Sequence, residues 1–216
     1  MDKNVETIVD FIIKIKAGFD PSQPRADDGT WGSGSGVADD SIDSSKPTAQ
    51  EKQCIENYTD RGFHQVNHYL GKGEINVADT DFKGNKEDFT DKISKQAQCI
   101  ESGISKLPKF EGTVYRGDTI KTDSINSFKD NLDNNDIQFK AFLSTSQDKD
   151  TAEGFMLARA NETKVLYIIQ SKNGRDLYDY SMNETESEVL FKPNTKFSVT
   201  SYRIINGIIY VKIKEL

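Results

Sequence analysis

The spacing of apolar residues changes along the chain, from a helical repeat in the first half to short strand-like runs in the second. The first 20 residues predict an amphipathic helical segment, because the apolar residues of 3–17 recur three and four positions apart. We expect this helix to pack on the main domain. A helix that lies on a membrane surface or binds a chaperone is the alternative.

Residues 21–48 are rich in Gly, Ser, Asp and Pro, and Trp31 is their only aromatic side chain. This composition predicts a flexible linker or a long loop. Residues 49–107 return to helical spacing and predict two or three helices. Their apolar positions are Ile55, Tyr58, Phe63, Val66, Leu70, Phe89, Ile93, Cys99, Ile100 and Ile104.

From residue 112 onward, β-branched and aromatic residues form short runs separated by turn residues, as in strands. The runs are GTVYRGD, FKAFLSTS, KVLYIIQS, EVLF, KFSVTSYRII and GIIYVKIKEL. Helices come first and strands follow without regular alternation, which predicts an α+β fold rather than a doubly wound parallel sheet. We therefore divide the chain into a helical segment (1–20), a linker (21–48) and a main domain (49–216).

Composition and charge limit the kinds of molecule that this protein can have as its main partner. The 216 residues carry a net charge of −7, whereas a protein whose main partner is nucleic acid needs a basic face. No apolar run approaches the roughly 18 residues of a membrane span. Asp10, Lys14 and Lys16 interrupt the N-terminal apolar residues, so we expect no signal peptide there, although export of the protein stays open.

Two cysteines and two histidines are too few for a zinc site or a disulfide framework. We expect no bound metal. For Cys54 and Cys99 we favour two separate half-buried thiols on helices over a single bridge.

Three segments of the strand-rich half carry candidate chemistry. In the first, Tyr115-Arg116-Gly117 closes a short predicted strand. An arginine at a strand end can pair with a phosphate or carboxylate, and a following glycine lets a ligand approach the backbone. A surface turn is the alternative for this segment alone.

The second segment, Ser144-Thr145-Ser146, offers three hydroxyls that can form hydrogen bonds across strands. The third contains Glu186 and Glu188, which share one face of a strand because they stand two positions apart. Two solvated glutamates on an edge strand are the alternative. The apolar Val189-Leu190-Phe191 that follows argues against this alternative, because these residues bury the strand just after Glu188.

Arginine, then Ser-Thr-Ser, then Glu-x-Glu before an apolar strand resembles the R-S-E class of mono-ADP-ribosyltransferases, which includes arginine-modifying bacterial toxins. Further matches are Tyr58-Thr59, Val66-Asn67 and Tyr69-Leu70 in the helical half, Thr113 to Gly117, and Glu186 to Phe191 with Pro193 and Phe197. The resemblance covers about residues 49–216. It implies two packed, mostly antiparallel β-sheets with an N-terminal helical subdomain and NAD in the cleft between the sheets.

The resemblance also assigns roles to residues. Glu188 would stabilise the positively charged, oxocarbenium-like sugar that forms when the bond from ribose to nicotinamide breaks. Ser144 would hold Glu188 in place from the neighbouring strand, and Thr145 and Ser146 would complete that structural element. Arg116 would bind the NAD phosphates, and the Gly117 backbone would meet the nicotinamide amide.

Three further residues would contact the dinucleotide. Asn67 matches the helix asparagine near the adenosine half, although Gly71 stands where the family has an arginine. Phe155 would stack on nicotinamide and Arg159 would reach a phosphate. A core position for Phe155 and a surface position for Arg159 are the alternatives.

Glu186 would select the acceptor, because a carboxylate facing the ribose can bind the permanently charged guanidinium of arginine. The preceding turn, 178–185, matches the target-recognition loop of the family and keeps Ser181, but it has Asn183 where the family has an aromatic residue.

The resemblance thus implies an enzyme that moves ADP-ribose from NAD to an arginine of a host or competitor protein. The protein would be a secreted or delivered bacterial effector that acts in the cytoplasm of a target cell. An NAD glycohydrolase and a catalytically inactive module with the same fold are the alternatives.

Overall fold

A computed structural model describes residues 44–74, 85–134, 136–180 and 187–216. The predicted 3–17 helix and most of the predicted 21–48 linker lie outside the described residues, so the division at residue 49 stays a prediction. In the described part of the chain, no helix is long and apolar enough to cross a membrane.

The order of elements confirms helices first and strands after. The helices are α1 (Ala49–Asn57), which runs through a π-helical turn (Tyr58–Gly62) into α2 (Phe63–Lys72), then α3 (Lys86–Ser105), α4 (Ile125–Asp133) and α5 (Lys149–Gly154). The strands are β1 (Lys109–Lys121), β2 (Asp136–Phe139), β3 (Leu143–Ser146), β4 (Glu162–Asp176), β5 (Glu188–Phe191), β6 (Thr195–Ile205) and β7 (Ile208–Glu215). The two short helices within the strand-rich half, α4 and α5, were not predicted.

The strands form a long five-stranded run and a short two-stranded ribbon. The run has the order β1-β4-β7-β6-β2, in which only the β4–β7 pair is parallel. The ribbon is the antiparallel pair β3–β5. Hydrogen-bonded pairing joins the ribbon to β1 at Tyr115 and to the end of β4 at Arg175 and Asp176, so the seven strands are continuous and mostly antiparallel.

The ribbon is the middle layer of the domain, because its alternating side chains enter two different cores. Val189 and Phe191 pack in the core of the five-stranded run. Leu190, whose side chain points the other way, packs with Phe142 in the core formed by the helices. The domain therefore has three layers: sheet, ribbon and helices.

A buried ion pair fixes the start of the helical layer. Thr48 and Glu51 form a reciprocal capping box at the N-terminus of α1. The same Glu51 carboxylate accepts hydrogen bonds from Lys106 Nζ (2.6 Å) and Ser102 Oγ (2.6 Å) at the end of α3. Burial alone would raise its pKa, but these hydrogen bonds outweigh burial and lower the pKa of Glu51 to about 2.

A disulfide between Cys54 of α1 and Cys99 of α3 corrects the expectation of two separate thiols. The two Cα atoms are 6.1 Å apart, within the range that a bridge spans. Sequence spacing could not show this, because the contact depends on how α1 packs against α3. The bridge and the Glu51 ion pair fasten the same two helices together.

We expect the double variant Cys54→Ser/Cys99→Ser to be less stable than the wild type by about 3–4 kcal/mol, because the bridge closes a loop across a sequence separation of 45 residues. Chemical denaturation with and without reductant measures this difference. Reductant should lower the stability of the wild type to that of the variant and leave the variant unchanged. Two free thiols in the denatured, unreduced wild type would contradict the bridge.

Candidate active site

Arg116 lies in the middle of β1 rather than at its end. The expectation of a short strand closing at Gly117 is wrong, because the β1–β4 ladder continues through Lys121 paired with Glu162. Arg116 shares a face of β1 with the buried Val114, and that face points into the core of the five-stranded run. Its guanidinium therefore reaches towards the ribbon.

Two of the three guanidinium nitrogens of Arg116 have partners. Nη1 donates to the main-chain carbonyl of Ser144 at 2.9 Å, which ties β1 to the ribbon, and Nη2 contacts Asp118 Oδ2 at 3.4 Å. Nε is buried and has no hydrogen-bond partner among the described residues. A buried N–H without a partner is costly, so this atom indicates a place for a ligand acceptor.

Gly117 has a packing requirement that the sequence did not reveal. A Cβ atom at this position would overlap the main-chain carbonyl oxygen of Ala152 in α5 and lie 2.8 Å from Met156 Cγ. Helix α5 thus packs directly on the β1 backbone. A glycine is needed here for this close approach, whatever its main chain contributes to a ligand.

The ribbon brings Glu188 into the cleft between sheet and helices. Ser146 pairs directly with Glu188, and Ser144 pairs with Leu190, so all four side chains share one face. This is the face that carries Leu190 to the helical core. Glu188 is 6% exposed. Ser146 is thus the direct neighbour of Glu188 across the ladder, and Ser144, which we expect to hold Glu188, is its diagonal neighbour.

Hydrogen bonds around β5 fix the position of Glu188. Thr145 Oγ1 donates to the carbonyl of Val189 at 2.6 Å, and Leu177 N donates to the carbonyl of Glu188 at 2.9 Å. Gln147 N donates to the carbonyl of Ser187 at 3.0 Å, and Ser187 itself has a left-handed backbone with φ 45°. Strained backbone of this kind occurs at functional sites. Thr145 is therefore part of the ladder between β3 and β5 that holds Glu188.

Tyr58 connects the helical layer to the ribbon. Its side chain is 1% exposed, its ring meets that of Phe142 edge to face, and its hydroxyl lies near the Ser144 side chain. Asn67 Nδ2 donates to the same hydroxyl at 3.0 Å. Burial raises the pKa of Tyr58 to about 12, and the charge of Glu188 acts in the same direction. The hydroxyl therefore stays neutral at physiological pH.

Asn67 supplies the second buried atom that lacks a partner. Its Oδ1 has no hydrogen-bond partner among the described residues, whereas its Nδ2 is held by Tyr58. A fixed amide with a free acceptor can bind a donor group of a ligand. One cleft thus contains a cation with a free N–H, an amide with a free acceptor and a buried carboxylate.

Not every predicted residue joins this cleft. Phe155 is 58% exposed just beyond α5, and Arg159 is exposed, with its main-chain N–H donating to Glu162 at 2.9 Å. The described contacts place both outside the network of Arg116 and Tyr58. Glu186, like Ser181 and Asn183, lies outside the described residues. Within the described parts of the chain, no group of three or more His, Cys, Asp or Glu could hold a metal ion.

The family model of the ADP-ribosyltransferase exoenzyme matches residues 36–216. The chain belongs to the ADP-ribosyltransferase exoenzyme family. The match covers every residue of the cleft. It confirms the resemblance found in the arginine, serine and glutamate motifs.

Several bacterial proteins are similar in sequence to part of this chain. Vis of Vibrio splendidus strain 12B01 is 27% identical over 178 residues, which are 78% of this chain and 66% of Vis. The mono(ADP-ribosyl)transferase SpvB of Salmonella typhimurium strain 14028s is 27% identical over 168 residues, which are 71% of this chain and 27% of SpvB. The chain thus spans less than two thirds of the length of these relatives.

Solved structures confirm the fold. The crystal structure of the ADP-ribosyltransferase Vis in complex with agmatine has a TM-score of 0.64 at 25% identity, covering 79% of this chain and 75% of that one. The SpvB ATR domain has a TM-score of 0.56, also at 25% identity, covering 78% of this chain and all of that one. The expected α+β ADP-ribosyltransferase fold is therefore confirmed.

We expect Tyr58→Phe to weaken NAD binding about tenfold, because loss of the hydroxyl that holds Asn67 removes roughly 1–2 kcal/mol of positioning. Calorimetric titration with NAD measures this effect. Thr59→Val is the matched control, since Thr59 Oγ1 bonds the carbonyl of Glu56 within its own helix. If Tyr58→Phe binds NAD as tightly as the wild type but is less stable, the role of Tyr58 is structural only.

Proposed function

We propose that the protein is a mono-ADP-ribosyltransferase that moves ADP-ribose from NAD to an arginine of a target protein and releases nicotinamide. The observation that carries this proposal is the placement of Glu188, a buried carboxylate held by a strand ladder in the cleft that also contains Arg116 and Tyr58. Membership of the family supports the proposal for the described residues.

The bond that breaks joins the ribose C1′ to the nicotinamide nitrogen. Its electron pair leaves with nicotinamide, which becomes neutral, and the ribose takes on oxocarbenium character. Glu188 faces this positive charge. Because its carboxylate is 6% exposed and fixed by the β5 hydrogen bonds, it stabilises the transition state with little reorganisation.

Arg116 and the helical wall would hold the rest of NAD. The free Nε of Arg116 is directed to a pyrophosphate oxygen, and its fixed positive charge offsets the phosphate charge. The free Oδ1 of Asn67 accepts a hydrogen bond from the dinucleotide. Phe155 stacks on nicotinamide, and Arg159 reaches a phosphate when the dinucleotide is bound. The Gly117 backbone, beside Arg116, meets the nicotinamide amide.

Glu186 would bind the acceptor. It stands two residues before Glu188, on the far side of the left-handed Ser187. A carboxylate there orients the target guanidinium, whose nitrogen attacks C1′ of the ribose and loses a proton to the carboxylate or water. Vis was crystallised with agmatine, a small guanidinium compound, which supports arginine as the acceptor group here.

We assign the protein to the bacterial toxins and effectors that modify a protein of another cell, as the relatives suggest. Its target would present an exposed arginine, and the reaction would take place in the cytoplasm of the target cell.

We expect Glu188→Gln to lower the rate of nicotinamide release by about 100- to 1,000-fold, because the amide cannot stabilise the positive sugar. The NAD dissociation constant should stay within about threefold of wild type, since Arg116 and Asn67 still hold the dinucleotide. Nicotinamide release by chromatography and NAD binding by calorimetry measure the two quantities. Wild-type turnover in a folded Glu188→Gln variant would overturn the proposed function.

Glu186→Gln should separate the two reactions of the site. Transfer to agmatine should collapse, because the amide lacks the charge that orients a guanidinium, while hydrolysis of NAD by water should persist within about tenfold. Label incorporation into agmatine and nicotinamide release without acceptor are compared on one preparation. Surviving transfer would make the arginine assignment wrong, and an equal loss of both activities would place Glu186 at the sugar.

A further inference from the structure

The five-stranded run has a second face, away from the ribbon, that is rich in positive charge. Alternate residues of β7 point away from the core, so Lys212 and Lys214 are exposed while Val211 and Ile213 are buried. On the neighbouring strand β6, Ser201 pairs with Lys212 and Arg203 pairs with Tyr210. This outer face is basic although the chain has a net charge of −7.

A cavity of about 140 Å³ opens on the outer face and combines cations with hydroxyl groups. Its lining residues are Ser201, Tyr202, Arg203, Tyr210 and Lys212. The guanidinium of Arg203 lies 6.0 Å from the centre of the Tyr210 ring. Neither Arg203 nor Lys212 forms an ion pair with any residue that the structure describes.

An acidic side chain stands at one edge of this cavity. Asp133 contacts the Tyr202 hydroxyl at 3.5 Å. The other polar groups of the cavity are the guanidinium of Arg203, the ammonium of Lys212 and the hydroxyls of Ser201 and Tyr210. Their chemistry suits a phosphate group, which accepts hydrogen bonds from all of them.

Exposed aliphatic residues stand beside the cavity, at the tip of the β6–β7 hairpin. Ile204 and Ile205 are 49% and 39% exposed, and the two-residue turn Asn206-Gly207 that follows has left-handed backbone at both positions. Ile205 pairs with Ile208, which packs against the cluster of α5. Ile204 pairs with the buried Ile209, so the two isoleucines lie on opposite faces of the hairpin and both are exposed at its tip.

A third exposed aliphatic residue lies at the same end of the sheet. Leu157 is 80% exposed, and it follows Met156, which packs in one cluster with Ile208. Lys164 of β4, also exposed, pairs with Ile208. The tip therefore combines aliphatic side chains with flanking cations, the pattern of a surface that enters the headgroup layer of a bilayer.

We propose that this outer face docks on a membrane surface of anionic phospholipid. The headgroup phosphate occupies the cavity between Arg203 and Lys212, and Ile204 and Ile205 enter the acyl boundary. An acidic protein would satisfy the cations but would leave the exposed isoleucines unexplained. Arg116 projects from the opposite face of the same sheet, so docking leaves the Arg116 side of the cleft open.

Flotation of the full chain with lipid vesicles tests this docking. The chain should float with vesicles that contain about one-third phosphatidylserine and not with pure phosphatidylcholine. Arg203→Gln/Lys212→Gln should lower the partition coefficient by about 25-fold, roughly fivefold for each cation. Ile204→Ser/Ile205→Ser should lower it at least about tenfold.

Matched controls separate docking from folding and from general charge. Lys86→Gln/Lys95→Gln removes the same charge from the exposed side of α3 and should float like the wild type. All variants should keep wild-type nicotinamide release, because none of these residues lies in the catalytic cleft. Nicotinamide release does not depend on membrane docking. Loss of catalytic activity and loss of vesicle binding are therefore distinguishable.

Three results would overturn the proposal. The first is a wild-type chain that does not float with anionic vesicles. The second is an α3 control that loses binding as strongly as the cavity variant. The third is an isoleucine variant that floats like the wild type, together with displacement of both proteins from the vesicles by inorganic phosphate. That result would assign the cavity to free phosphate.

Discussion

The antiparallel pairing of β3 with β5 is the interaction on which the site depends. Four residue pairs place Glu188 opposite Ser146 and carry Val189 and Phe191 into the core of the five-stranded run. A slip of this register by one residue would turn the glutamate towards that apolar core and turn Val189 out of it. Burial of the apolar residues thus fixes the carboxylate, and the bond from Thr145 to the Val189 carbonyl reinforces the register.

The helical layer is a wall of the site as well as a cover for the ribbon. Tyr58 reaches Ser144 from the end of α1, and Asn67 of α2 holds Tyr58. The disulfide of Cys54 lies one helical turn before Tyr58 on the same helix and ties it to α3. The geometry of the cleft therefore depends on the stability of helices that carry none of the reacting groups.

Local patterns predicted much of this structure. Short β-branched and aromatic runs predicted the strands, and the order of Arg116, Ser144 and Glu188 predicted the family. The Cys54–Cys99 bridge escaped prediction because it depends on the packing of α1 on α3. The requirement for Gly117 escaped it as well, since the short helix α5 that excludes a side chain there was not predicted.

The separate roles of Ser144, Thr145 and Ser146 could not be predicted from the sequence either. Three consecutive hydroxyl residues look equivalent in the sequence. Only the ladder distinguishes Ser146, directly opposite Glu188, from Ser144, which lies near Tyr58 across the layer boundary. Tyr58 and Asn67 stand nine residues apart on successive helical segments, and the π-helical turn between them sets which faces they present.

The central claim is that one cleft, between sheet, ribbon and helices, holds NAD with its reacting sugar at Glu188. A crystal structure of the protein with a non-hydrolysable NAD analogue tests this claim most directly. The account predicts a pyrophosphate oxygen within hydrogen-bond distance of Arg116 Nε, a donor of the dinucleotide at Asn67 Oδ1, and the nicotinamide ribose against the Glu188 carboxylate. A dinucleotide bound elsewhere, or bound with its sugar away from Glu188, would contradict it.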